Sequence, residues 1–130
     1  MARVRAFPLK ILLVEDHALS SEAMQMVLES DGFGVYAANG AQKALRALNN
    51  FIPGLVITDI VMPDMDGLEF IRAIRGLLPN VPILAVSGMG ADGGVLYLRQ
   101  AQMLGADMTL LKPVKKDQLL ESVNMLVANR

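Results

Sequence analysis

Apolar runs of strand length alternate along the chain with stretches of helical period. Ile11-Leu12-Leu13-Val14 is continuous and apolar, as expected of a strand covered on both faces. A helix is predicted over residues 20–30, with Leu19, Ala23, Met26, Val27 and Ser30 along one side. Asp31-Gly32 ends it, and a short strand over residues 34–38 follows. Asn39 reads as the N-cap of a helix over residues 41–48, with Gln42 three residues on in a weak capping-box pattern. That helix is expected to bury Ala44, Leu45 and Leu48.

The plan then repeats three more times. Leu55-Val56-Ile57-Thr58 is a strand that stops at Asp59, and Pro63 and Gly67 punctuate the loop after it. A helix over residues 68–75 buries Leu68, Ile71 and Ile74. Pro79 and Pro82 bracket a turn into a fourth strand, residues 83–86, ending at Ser87. Gly88, Gly90, Gly93 and Gly94 make a loop, and the next helix, residues 95–104, is stopped by Gly105. A fifth strand, residues 108–111, ends at Lys112-Pro113. The last helix, residues 116–128, buries Leu119, Leu120, Val123, Leu126 and Val127. Five strand–helix units with no linker or repeat imply one α/β domain over residues 1–130, with its core at about 10–128. The alternation predicts a doubly wound parallel sheet with right-handed crossovers and helices on both faces.

Composition narrows the chemistry. The 130 residues leave room for a single domain, and 53% hydrophobic against 19% charged residues rules out a disordered chain. Twelve Lys and Arg balance 13 Asp and Glu, so no overall field draws the chain to nucleic acid or anionic lipid. The absence of cysteine excludes disulfides, thiolate catalysis and Cys-based zinc sites. The single histidine, His17, cannot build a multi-histidine metal site, and it reads as a surface residue at the entry to the first helix. No apolar run approaches membrane-spanning length, and the one after the basic N-terminus is too short for a signal-peptide core. A cytoplasmic protein is expected.

In an open α/β sheet, ligands bind outside the carboxyl ends of the strands. Glu15 and Asp16 stand there after the first strand, Asp59 after the third, Ser87 after the fourth and Lys112 after the fifth. A lone aspartate at such a place is ordinarily a turn or cap residue; polar groups after four strands of five carry the meaning. Three carboxylates brought together repel one another. A hard divalent cation relieves this, and Mg²⁺ suits a site of few carboxylates and several waters. Lys112 relieves it in part. Such a set suits phosphoryl chemistry. Asp59 is a candidate nucleophile that would hold an acyl phosphate, and the cation and Lys112 would neutralise charge on the transferred oxygens. The Ser87 hydroxyl would donate to a phosphoryl oxygen.

These residues resemble the receiver domain of two-component response regulators, of the single-domain chemotaxis-regulator kind. The resemblance runs from Ile11 to Val127. It rests on Glu15-Asp16 closing the first apolar run, and on Thr58-Asp59-Ile60-Val61-Met62-Pro63-Asp64-Met65-Asp66-Gly67. Ser87 before Gly88, and Lys112-Pro113 after Gly105-Ala106-Asp107, complete it. It implies a flavodoxin-like sheet in strand order 2-1-3-4-5 with five helices. It implies that Asp59 accepts a phosphoryl group from a histidine kinase or a histidine phosphotransfer protein. Mg²⁺ would be held by Asp16, Asp59 and the backbone carbonyl of Val61, with Glu15 acting through water. Lys112 would contact Asp59 and then the phosphoryl group, its bond to Pro113 being cis. Ser87 would move toward the phosphoryl group. Such a domain is a signalling module, catalysing only its own phosphorylation and slow self-dephosphorylation. A downstream protein would be met through the fourth helix, fifth strand and fifth helix, with no nucleic acid and no membrane bound.

The sequence departs from the family pattern at Thr109, three residues before the lysine, where receivers usually carry Tyr or Phe. Either the output face is switched by other groups, such as Met89 and the glycine-rich loop, or the domain passes phosphate onward as a relay intermediate or sink. Two positions that tune phosphoryl lifetime in the family are apolar here, Val61 and Met89. Neither orients a water by a strong hydrogen bond, so slow self-dephosphorylation is expected. Tyr97 with Arg99 and Gln100 lies on the helix that helps form the family's partner face, where packing or plain exposure accounts for it equally well. Two enzymatic or cofactor readings fail on the first strand. Haloacid-dehalogenase-type hydrolases need Asp there with a second Asp two residues on, and this chain has Glu15-Asp16-His17-Ala18. A flavodoxin-like cofactor binder needs a hydroxyl-rich loop there, and the acidic pair would repel its phosphate. A receiver-like binder without phosphorylation would not need all five site residues.

Overall fold

The computed structural model describes residues 9–88 and 94–128. Five strands and five helices alternate: β1 (Lys10–Val14), α1 (Ala18–Ser30), β2 (Gly34–Ala38), α2 (Ala41–Ala47), β3 (Leu55–Asp59), α3 (Gly67–Leu77), β4 (Ile83–Ser87), α4 (Gly94–Leu104), β5 (Met108–Leu111) and α5 (Lys116–Ala128). All pairings are parallel and the sheet order is β2-β1-β3-β4-β5, as the family resemblance implied.

Side chains of a strand alternate between faces, so β1 divides its apolar run between two cores. Leu12 and Val14 join Val56, Ile83 and Ala85 under α2, α3 and α4, where Ala44, Phe70, Ile71, Ile74, Leu98 and Ala101 close the layer. Ile11 and Leu13 join Leu55, Ile57, Leu84 and Val86 under α1 and α5, closed by Met24, Leu28, Leu119 and Val123. Burial on both faces explains why β3 and β4 read as unbroken apolar runs. The edge strands β2 and β5 are half-buried, except for the buried Ala38 at the end of β2.

Two local expectations are overturned. The first helix turns Met24 and Leu28 inward, while Leu19 and Met26 are 72% and 71% exposed and Ala23 and Ser30 face solvent. Apolar residues stand at 19, 23, 24, 26, 27 and 28, so two overlapping stripes compete. The one that reaches Ile11 and Leu13 wins. Second, Asn39 does not cap α2. Gly40 holds the N-cap position without a side-chain bond, and the Asp64 carboxylate from the β3–α3 loop serves the first turn instead. Other boundaries shift by a residue or two: α3 begins at Gly67 and buries Phe70 as well as Ile71 and Ile74, leaving Leu68 half-buried.

Helix ends are set by local chemistry. His17 caps α1, its Nδ1 accepting the Ser20 N–H at 3.3 Å, and it is exposed as expected. At the far end Gly32 takes φ +92, which lets the Phe33 N–H reach back to the Leu28 carbonyl. Asp66 caps α3 by accepting the Leu68 N–H at 2.8 Å. Arg75, near the end of α3, donates to the carbonyls of Pro79, Val81 and Gly105 and to Asp107. It thereby ties α3 to the starts of β4 and β5, at the opposite end of the sheet from the acidic residues. Met89, Gly90, Gly93 and most of the glycine-rich loop lie outside the described residues, as do the first eight residues.

Candidate functional site

The carboxyl ends of four strands converge. Glu15 and Asp16 follow β1, Asp59 is the last residue of β3, Ser87 the last of β4, and Lys112 follows β5. Asp59 is in register with Val86, and Ser87 with Leu111, so neighbouring strands end level. Carboxylate oxygens of Glu15, Asp16 and Asp59 all lie within 4.8 Å of one another. Glu15, Asp59 and Ser87 are buried, whereas Asp16 is exposed at the rim.

Lys112 reaches into this cluster from the far side. Its Nζ donates to Glu15 Oε1 at 2.5 Å and to Asp59 Oδ2 at 2.8 Å. The second oxygen of Glu15 accepts the His17 N–H at 3.1 Å, and Asp59 Oδ1 accepts the Val61 N–H at 3.2 Å. Burial pushes the Glu15 carboxyl above its ordinary range, and the Asp59 charge adds to this; the Lys112 and His17 hydrogen bonds oppose it without prevailing. Burial alone would lower the Lys112 ammonium, but hydrogen bonds and charge from Asp59 and Glu15 outweigh it and hold the group above its usual value. Lys112 is thus a firmly charged cation shared by two carboxylates.

Backbone geometry fixes the rest. The Ile60 N–H donates to Val86, and the Gly67 N–H to the Ile60 carbonyl at 2.9 Å. A Cβ on Gly67 would stand 2.1 Å from that carbonyl oxygen, so only glycine lets the loop close here. The Lys112 N–H donates to the Ser87 carbonyl at 2.8 Å, and the Lys112-Pro113 bond is cis, as the resemblance implied. Val61 is 62% exposed at the mouth of the cluster. Thr109 is half-buried on β5 and, with Val95, Leu98, Arg99, Gln102 and Gln118, lines a groove of about 420 Å³ between α4 and α5.

The donor set suits a hard cation: three carboxylates, one exposed, with no sulfur or imidazole among the grouped residues. Every carboxylate oxygen of Glu15 and Asp59 already accepts a hydrogen bond, so the exposed Asp16 is the readiest of the three to meet a cation. Two features escaped sequence reasoning. Asp64 bonds to a helix 22 and 23 residues earlier in the chain, which no local pattern signals. On α1 the inward-facing Met24 and Leu28 are not the positions that the stripe of Leu19, Ala23 and Met26 marks.

The family model of the response regulator receiver domain matches residues 11–124. The chain belongs to that family. Receivers are signalling domains of two-component systems. This receiver is 32% identical over 122 residues to the uncharacterized transcriptional regulatory protein YesN of Bacillus subtilis, covering 92% of this chain and 32% of the relative. It is 34% identical over 128 residues to a response regulator of Synechocystis, covering 96% of this chain and 54% of the relative. The chain therefore spans between about a third and about half of these curated relatives. Among solved structures it resembles a CheY-like receiver domain protein of Methanospirillum hungatei, with a TM-score of 0.87, 27% identity, and coverage of 95% and 96% of the two chains. Receivers bind Mg²⁺ at an acidic cluster, and this one groups Glu15, Asp16 and Asp59 in that way. No helix among the described residues is long and apolar enough to cross a membrane.

Proposed function

We propose that Asp59 accepts a phosphoryl group from a phosphohistidine on a histidine kinase or a histidine phosphotransfer protein. An Asp59 carboxylate oxygen attacks phosphorus, the P–N bond to the donor imidazole breaks, and an acyl phosphate forms on the side chain. Asp16, Asp59 and the Val61 carbonyl would hold Mg²⁺, with Glu15 acting through water. The cation would neutralise charge on the transferred oxygens. The Val61 N–H and Lys112 hold Asp59 in one orientation, so its attacking oxygen is positioned before the donor arrives. Lys112 exchanges its Asp59 contact for a phosphoryl oxygen, and the Ser87 hydroxyl donates to another. The observation that carries this reading is the shared ion pair of Lys112 with Glu15 and Asp59 beside the exposed Asp16.

The donor must bring phosphorus to within bonding reach of Asp59, so its body must rest on the surrounding surface. The exposed apolar stripe of Leu19, Ala23 and Met26 begins at that rim. Beside it Ser20, Ala23, Met24, Pro113 and Val114 line a groove that Lys112 closes. That surface suits a helical, partly apolar donor. Downstream contact is assigned to the α4–β5–α5 face, and the domain is placed in the cytoplasm with its donor.

Thr109 supports a second reading, a relay intermediate or sink, since no aromatic ring at that position can turn inward. NMR spectra with and without beryllofluoride, a phosphoryl mimic, separate the two. Shifts spreading over α4 and β5 mean conformational output; shifts confined to the site mean relay. The main reading is tested by incubation with acetyl phosphate and Mg²⁺, read by intact mass. The native chain gains one phosphoryl mass, and Asp59→Asn or chelation abolishes the gain. An unmodified native chain overturns it.

A further inference from the structure

Asp64 lies in the β3–α3 loop, five residues past Asp59, and its carboxylate points away from the acidic cluster to a different element. Its Oδ1 accepts the Ala41 N–H at 3.2 Å and its Oδ2 the Gln42 N–H at 3.0 Å. These are N–H groups that a helix's first turn leaves without an internal partner. Gly40, at the cap position, offers no side chain for them. The approach is close: a Cβ on Gly40 would stand 2.8 Å from Asp64 Oδ2. The two N–H donors hold the Asp64 carboxyl below its ordinary range, led by Gln42.

The same loop carries Val61, whose N–H orients Asp59 and whose carbonyl is the backbone ligand in the function proposed above. At its ends the loop is fixed by backbone bonds, Ile60 to Val86 and Gly67 to Ile60. Val61 between them is exposed. Among the described residues, Asp64 supplies the loop's side-chain hydrogen bonds to another element; Asp66 bonds only to the helix it opens.

We propose that Asp64 is a positioning residue of the phosphoacceptor site: by fastening the β3–α3 loop to the first turn of α2, it holds the Val61 backbone in the arrangement that Asp59 and the metal require. This rests on the function proposed above. A helix cap alone would affect stability and leave the site untouched. Groups that orient a metal's ligands from behind typically change affinity by tenfold or more when removed.

The two roles separate in a pair of variants. Asp64→Ala removes both the cap and the tether. Gly40→Ser placed in that background restores a cap from within α2, where a serine is favoured, but not the tether. Mg²⁺ affinity is read by NMR titration, Tm by thermal unfolding, and backbone order of residues 61–65 by relaxation of the metal-free protein. Asp64→Ala is expected to lower Tm, weaken Mg²⁺ binding roughly tenfold and reduce loop order. The double variant is expected to regain Tm but neither Mg²⁺ affinity nor loop order. Recovery of all three in the double variant, or unchanged affinity and order in Asp64→Ala, overturns the proposal. A native chain that binds no Mg²⁺ overturns the function proposed above, and the metal-free loop order then decides the tether by itself.

Discussion

Lys112 Nζ stands closer to Glu15, at 2.5 Å, than to the candidate acceptor Asp59, at 2.8 Å. The ammonium is thus already committed to the oxygens a cation would seek. Lys112→Met should therefore tighten Mg²⁺ binding, on the order of tenfold, by removing a like charge from the site. The same variant should slow phosphorylation by acetyl phosphate, because the transferred oxygens lose their donor. Weaker Mg²⁺ binding in a Mg²⁺ titration followed by NMR would contradict the first half.

The Gly67 contact with Ile60 leaves no room for a methyl group, and the atom it would strike is backbone. Gly67→Ala is expected to cost about 2 kcal/mol or more, a loss of roughly 6 °C or more in Tm for a domain of this size. Because the loop must open to admit the methyl, phosphorylation should fail together with stability. A Tm within a degree of native would show that the loop has another way to close.

Arg75 gives the opposite pattern. Its four hydrogen bonds lie at the amino ends of β4 and β5, far from the site, and its side chain is 24% exposed. Arg75→Lys keeps the charge but loses the planar fork. Thermal unfolding should register a loss of about 2 kcal/mol, while the rate of phosphorylation at a temperature well below Tm stays at the native value.

Val61 occupies the mouth of the cluster as an exposed apolar side chain. Hydrolysis of the acyl phosphate needs a water held in line with the bond, and valine offers it no hydrogen bond. The half-life of phosphorylated Asp59 should shorten severalfold in Val61→Asn. An unchanged or longer half-life would remove this residue from the account.

Asp64 adds a pH dependence. Its folded-state carboxyl is depressed by the Gln42 and Ala41 N–H donors. A depressed carboxyl contributes stability that is present above its unfolded pKa of about 4 and is lost as pH falls through the lower folded value. Native protein and Asp64→Asn should therefore differ in stability at neutral pH and converge below about pH 4. Denaturant titrations at several pH values check this.

Much of the architecture is legible in the sequence because its signals are local. Ile11 to Val14 and Leu55 to Ile57 are buried on both faces, and a strand so placed must be apolar throughout. The polar residue ending each run then marks the site, since strand ends in a parallel sheet share one edge. What stayed hidden depends on distant partners. Leu19 and Met26 sit as well on a helical stripe as Met24 and Leu28 do, and only the position of β1 decides between them. Asp64 resembles any loop aspartate until α2 is folded against it. The sharing of Lys112 between Glu15 and Asp59 joins residues 97 and 53 positions apart. The family resemblance implied the Lys112–Asp59 contact, and the pairing of Lys112 with Glu15 is what stayed hidden.

The sheet's two apolar layers share no side chain, since Leu12 and Val14 belong to one and Ile11 and Leu13 to the other. Genetic rescue should respect that partition. A hole opened at Ile71 would be refilled by enlarging a residue of α2, α3 or α4, and no change on α1 or α5 could reach it. A substitution that loosens one layer should therefore leave the packing of the other intact, and reach it through the strands that carry the acidic rim.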